Sequence, residues 1–177
     1  MDEEFETDIP EKVSFEIMRN NNGNIWALQG NPKYYDLIGA SRELDFDWWR
    51  TGQSDIKKGD RIVFWQSSDA NKNRGVVALG IAVSDREERA DSTNRFWKVS
   101  SEDLQKRESR IRIRYIKIAE PLWMGNTKFH PILDTLTVSR GQGTAFRITE
   151  TQWDAVLELI EEDLSLSFAE EFKEDLP

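Results

Sequence analysis

The stretch "KKGDRIVFWQS" constrains the fold more than any other. Ile62, Val63, Phe64 and Trp65 follow one another with no polar break. Neighbouring side chains of a strand point to opposite faces, so both faces of this one must be covered. "VVALGIAVS" reads as the returning strand of a hairpin whose loop contains "NKNRG". Gly80 in its middle marks a bulge or a close backbone approach. A strand of this kind belongs in a barrel or in a sheet covered on both sides.

The flanking segments fit that frame. "NIWALQG" reads as a short strand closed by Gly30, and Asn31-Pro32 starts a turn. "KYYDLIGASREL" places Tyr34, Leu37 and Ile38 at helical spacing. "FDWWR" is strand-like, residues 84–96 form a polar loop ahead of Trp97, and "PLWMGNTKFHPIL" is rich in breakers. "SRIRIRYIKIAEP" alternates Ile111 and Ile113 against Arg110, Arg112 and Arg114. The last element, "TETQWDAVLELI", reads as a helix with Thr149 as N-cap and Gln152 at the reciprocal capping position. Strands predominate and a few helices are interspersed, so the expected class is α+β, a small mixed β-barrel with flanking helices. The expected organisation is an acidic extension over residues 1–20, one domain over 21–162 and an acidic tail over 163–177.

The formal net charge of −9 is unevenly spread. Residues 1–16 carry seven acids and one base, residues 158–177 eight acids and one base, and the stretch between is therefore +4. Such a body tolerates a polyanion, although it falls short of the footprint of a non-specific DNA binder. There is no cysteine and only one histidine, His130 in a loop, so thiolate or imidazole metal sites and nucleophilic pairs have almost no material. "GQG" lacks the third glycine and the context of a dinucleotide fingerprint, and no phosphate-loop lysine motif occurs. The expectation is a protein that is not an enzyme, with no cofactor and no metal. The N-terminus is acidic where a signal peptide would be basic, and no apolar run is long enough to cross a bilayer. A cytoplasmic location follows as an expectation.

Seven tryptophans stand at 26, 48, 49, 65, 97, 123 and 153. Trp153 on the amphipathic last helix and Trp26 in the first strand read as core. The order of the segments "IWALQGNPKYYDL", "DWWRTGQSDIKKGDRIVFWQSS", "GVVALGIAVS" and "ILDTLTVSRGQGTAFRITETQWDAV" resembles the EVE domain, a branch of the PUA-like superfamily, over about residues 24–160. The variety it is most similar to is the one fused to nucleases or restriction GTPases in modification-dependent defence. The resemblance implies a pocket shared with the YTH readers of methylated adenine and, more distantly, with the SRA readers of modified cytosine. In such readers one extruded base sits between aromatic walls while polar groups test its edge. Carried onto this chain, the two recurring aromatic positions fall on Trp49 and Trp97. Trp48 would then point into the barrel.

The same resemblance offers Gln29 and Asn31 as edge-reading groups, and Ser67 and Trp65 as further pocket candidates. Arg50 and Arg140 are its phosphate contacts, while the Gly141–Thr144 turn, with Gln142, Gly143 and Thr144, can present backbone N–H groups to an anion. Arg112, on the arginine face of its strand, is a further backbone contact. Each has a plainer reading: Trp49, Trp97 and Trp65 as core, Asn31 as a turn residue, Gln29 and Ser67 as solvated groups, and the arginine face as a soluble surface. The expected partner is nucleic acid carrying a methylated or hydroxymethylated base, in DNA rather than RNA, with a nuclease or NTPase acting alongside. A reader of modified RNA and a regulatory module holding a free nucleobase or other small ligand are the alternatives.

Overall fold

The computed structural model describes residues 23–91 and 94–174, with side chains for all of these except Ser101 and residues 163–174. The expected acidic extension over residues 1–20 and the last three residues of the expected acidic tail lie outside the described residues. Among the described residues eight strands join in one sheet: β1 (Ile25–Gly30), β2 (Phe46–Arg50), β3 (Arg61–Gln66), β4 (Gly75–Ala82), β5 (Glu87–Arg89), β6 (Glu108–Ile116), β7 (Leu122–Trp123) and β8 (Ala145–Arg147). Four helices flank it: α1 (Leu37–Glu43), α2 (Ser101–Leu104), α3 (His130–Leu133) and α4 (Glu150–Glu174). α4 runs through most of the segment read as an acidic tail. No helix among the described residues is long and apolar enough to cross a membrane.

The strand order is β2-β6-β4-β3-β1-β8, with β5 also on β6 and β7 on β4. β1 and β3 are parallel, and the other pairs are antiparallel. A parallel pair needs a crossover; here it runs through α1 and β2, which docks at the far edge of the order. The mixed sheet curls into a half-barrel, as the doubly apolar β3 demands.

β3 is buried along its whole length because each face meets its own core. Ile62 and Phe64 point into the curl with Leu28, Trp49, Ile111, Ile113 and Tyr115. Val63 and Trp65 point the other way, onto Trp153, Val156 and Leu157 of α4 and onto Leu133 of α3. Burying one such side chain removes enough apolar surface to contribute about 1.5–3 kcal/mol. The capping box starts α4 as the sequence implies: Gln152 N–H donates to Thr149 Oγ1 at 3.1 Å, and Thr149 N–H donates to Gln152 Oε1 at 3.0 Å. Arg61 then ties the first turn of α4 to β3, through Glu150 and the face of Trp153.

Gly80 proves to be a close approach. A Cβ there would lie 2.7 Å from the Phe64 ring and 2.8 Å from the Arg114 carbonyl oxygen. The irregularity in the ladder is nearby, where Phe64 pairs with Ala78 but Trp65 with Val76. Gly80→Ala is expected to lower stability by about 1–3 kcal/mol, as overpacking does, and urea denaturation reads it.

Candidate functional site

β2 carries the two adjacent tryptophans, and its pairing with β6 decides which faces inward. Trp49 lies opposite Ile111 and Asp47 opposite Ile113, while Trp48 lies opposite Arg112 and Arg50 opposite Arg110. Directly paired residues share a face. Trp49 and Asp47 therefore enter the curl, and Trp48 stands on the outer face with the Arg89 guanidinium 3.7 Å above its ring. This reverses the expected orientation of Trp48. Alternation required the two indoles to part company; the apolar partners Ile111 and Ile113 chose Trp49 for the inside.

Beneath Trp49 lies a buried polar knot. Asp47 accepts from the Tyr35 hydroxyl at 2.5 Å, from the Tyr115 hydroxyl at 2.6 Å and from its neighbour's backbone N–H at 2.8 Å. The Tyr115 oxygen accepts in turn from Trp49 Nε1 at 2.9 Å, and the Tyr35 oxygen from Asn94 Nδ2 at 3.0 Å. Burial pushes the Asp47 carboxyl up against three hydrogen bonds that pull it down. Burial and the adjacent Asp47 push both tyrosine hydroxyls up. The knot fixes Tyr35 and Trp49, whose rings meet edge to face at 6.1 Å. Trp97 completes the row, its ring centroid 4.4 Å from that of Tyr35. Trp97 Nε1 is buried and has no hydrogen-bond partner among the described residues.

This row walls a cavity of about 430 Å³, within the range of small-molecule sites, about 300–1,000 Å³. Gly30 packs closely behind the aromatic wall: a Cβ there would lie 3.0 Å from the Trp49 ring. Charged groups line the same cavity. Arg110, fully buried, donates from Nη1 to Asp91 at 2.8 Å and from Nε to the Arg89 carbonyl at 3.1 Å. Its Nη2 is 3.6 Å from Glu108, which also pairs with Arg50 at 2.7 Å. Burial lowers the Arg110 pKa, and Asp91 opposes that shift. The lining mixes both faces of β2, Trp48 and Arg50 from one and Trp49 from the other, because β2 is a sheet edge.

Of the residues singled out in the sequence, Trp49, Trp97, Gln29, Asn31, Arg50 and Thr144 line this cavity, and so do Trp48 and Arg110. The others do not. Trp65 is sealed in the opposite core, since Phe64 already takes the inner face of β3. Ser67 follows β3 with its N–H on the Gly30 carbonyl. Gln142 and Gly143 lie exposed just outside, where Gly143 accepts from Gln29 Nε2 at 3.2 Å. Arg140 pairs with Asp134, whose carboxyl it holds below the usual range. Arg112 lies over the Phe46 ring beside a smaller depression of about 220 Å³. Sequence reasoning missed Tyr35, Tyr115, Asp47 and Asp91, and took Arg110 only as one member of the arginine face of β6. Tyr35 had a signal, because Asp36 caps α1 through the Gly39 N–H at 3.0 Å and so places both tyrosines ahead of the helix. No three His, Asp or Glu side chains among the described residues converge where a metal ion could sit.

A curled mixed sheet with flanking helices and an aromatic cavity at its edge is a PUA-like fold. The EVE domain model matches residues 24–159, and the chain belongs to that family. No curated protein sequence matches the chain. Among solved structures, a hypothetical protein from Leishmania major is similar at 15% identity and a TM-score of 0.58, covering 81% of this chain and 98% of its own. The human THYN1 protein in complex with 5-methylcytosine-containing DNA is similar at 16% identity and a TM-score of 0.55, covering 78% and 98%. The protein Rpa0253 from Rhodopseudomonas palustris follows at 14% identity and a TM-score of 0.51, covering 78% and 93%.

Proposed function

We propose that this EVE-domain protein reads nucleic acid by receiving one extruded, modified base in the 430 Å³ cavity, with DNA as the partner. The observation that carries the reading is the joint lining of one cavity by aromatic and hydrogen-bonding side chains. A row of three aromatics, Trp49, Tyr35 and Trp97, lines one cavity together with hydrogen-bonding side chains that include Gln29, Asn31, Arg110 and Asp91. Support comes also from the family, and from the structurally similar human protein bound to 5-methylcytosine DNA.

The energetics are consistent. Extruding a base costs a few kcal/mol, and each aromatic stacking contact returns about 1–3 kcal/mol. Trp97 and Tyr35 supply ring surface, Trp49 closes the end, and Gln29 and Asn31 offer donors and acceptors to the base edge. In this reading Arg50 and the backbone beside Thr144, both at the cavity lining, take the phosphates, with Gln142 and Gly143 just outside. The reading is of a binding module rather than an enzyme, and Asp47 supports it: the buried carboxylate already accepts three hydrogen bonds and is committed to holding the wall.

A panel of short duplexes and single strands, each with one defined modification, tests the reading. The expected result is tighter binding to one modified form than to its unmodified counterpart, with affinity falling steeply as salt rises. Equal affinity for modified and unmodified strands defeats it. Modification-dependent binding that ignores salt points instead to a pocket for the free nucleobase.

A further inference from the structure

Among the described residues Tyr34 is the one large hydrophobic side chain left exposed, at 46%. A single exposed aromatic ordinarily calls for no explanation, but three features set this one apart. It lines the mouth of the same cavity that Tyr35 walls from within. Its backbone is held on both sides: its N–H donates to the Asn31 carbonyl at 3.0 Å, and its carbonyl accepts from the Lys98 N–H at 2.9 Å. The turn before it is pinned as well, by Lys33 N–H on Asn31 Oδ1 at 2.9 Å and by Lys98 Nζ on the Pro32 carbonyl at 2.8 Å. An exposed ring on so fixed a backbone stacks on a partner with little ordering cost.

The charges beside it match a nucleic-acid backbone. Lys33 Nζ lies 5.7 Å from the Tyr34 ring centroid, and Lys98 is anchored to the same turn. Pulling a base out of a duplex leaves a gap in the stack at the point where the strand enters the pocket, and inserted wedge residues stabilise such openings. We infer that Tyr34 is that wedge: its ring enters the vacated step of a DNA duplex while the modified base occupies the cavity and Lys33 and Lys98 face the flanking phosphates. This rests on the base-reader reading and extends it, because a wedge has work to do only where there is a stack to fill. The natural ligand is therefore double-stranded.

The test compares wild type, Tyr34→Ala and Tyr34→Phe on a duplex with one modified base and on the same modified strand alone. Tyr34→Ala is expected to weaken duplex binding by about tenfold or more, as loss of one aromatic stack does, and to leave single-strand binding within about twofold. Tyr34→Phe keeps the ring and is expected to bind both as wild type does. Melting curves of both variants should overlay that of wild type, because the side chain is exposed. Equal losses on duplex and single strand would make Tyr34 an ordinary pocket wall and overturn the wedge, as would no loss on either. Wild-type protein that shows no preference for the modification in either form defeats the reader itself, a result distinct from both.

Discussion

Trp49→Ala is expected to destabilise the protein by about 3–5 kcal/mol, the cost of deleting a buried indole, whereas Trp97→Ala leaves a folded protein that no longer distinguishes a modified base. The two residues belong to one aromatic row but not to one energetic class. Trp49 is only 8% exposed, packs on Phe64 at 5.1 Å and donates to Tyr115. Removing it opens a hole in the inner core and takes one of the hydrogen bonds from the knot around Asp47. Trp97 is half-buried, packs tilted against Tyr35, and has an indole nitrogen with no partner to lose among the described residues. Its truncation exposes ring surface rather than emptying a core. Urea denaturation should thus separate the variants by several kcal/mol, and binding to a modified strand should be lost in Trp97→Ala while its midpoint stays near wild type. Trp97→Ala unfolding as readily as Trp49→Ala would assign both indoles to the core and leave the cavity without a dedicated stacking wall.

The features most legible in the sequence were those where one local rule acts alone. β3 announced itself through unbroken apolar residues, Thr149 and Gln152 through their spacing, and Gly80 through its place in a strand. The phase of β2 was not legible, because Asp47 looks like a solvent-facing residue and its inner position makes sense only once Tyr35 and Tyr115 arrive from elsewhere to hydrogen-bond it. The arginine alternation in β6 was read, yet Arg110 is fully buried while Arg112 is not. What separates them is Asp91, brought over Arg110 by the segment that includes β5. Polar residues buried by long-range partners leave no periodic trace, so half of the site wall was silent. Trp65 misled for the complementary reason: on a strand buried on both faces, apolar character gives no hint of which core a side chain enters.

That silent half yields the other large effect. Asp91→Ala is expected to cost about 3–5 kcal/mol, because it leaves the Arg110 guanidinium buried with its closest counter-ion gone. Glu108 cannot replace it, standing 3.6 Å away and already engaged by Arg50. Replacing both partners by apolar groups, Asp91→Leu with Arg110→Met, is a different experiment. The desolvation of two charges disappears together with their attraction, so the double variant should recover most of the loss and sit near wild-type stability. Stability and function then part ways. Both side chains line the cavity, and an apolar pair there can neither donate to nor accept from a base edge. A stable double variant with modified-strand affinity reduced by about tenfold or more, a difference of about 1.4 kcal/mol, is the expected outcome. A double variant that binds as tightly as wild type would make the ion pair a purely structural clamp, and would shift the reading of the base edge onto Gln29 and Asn31.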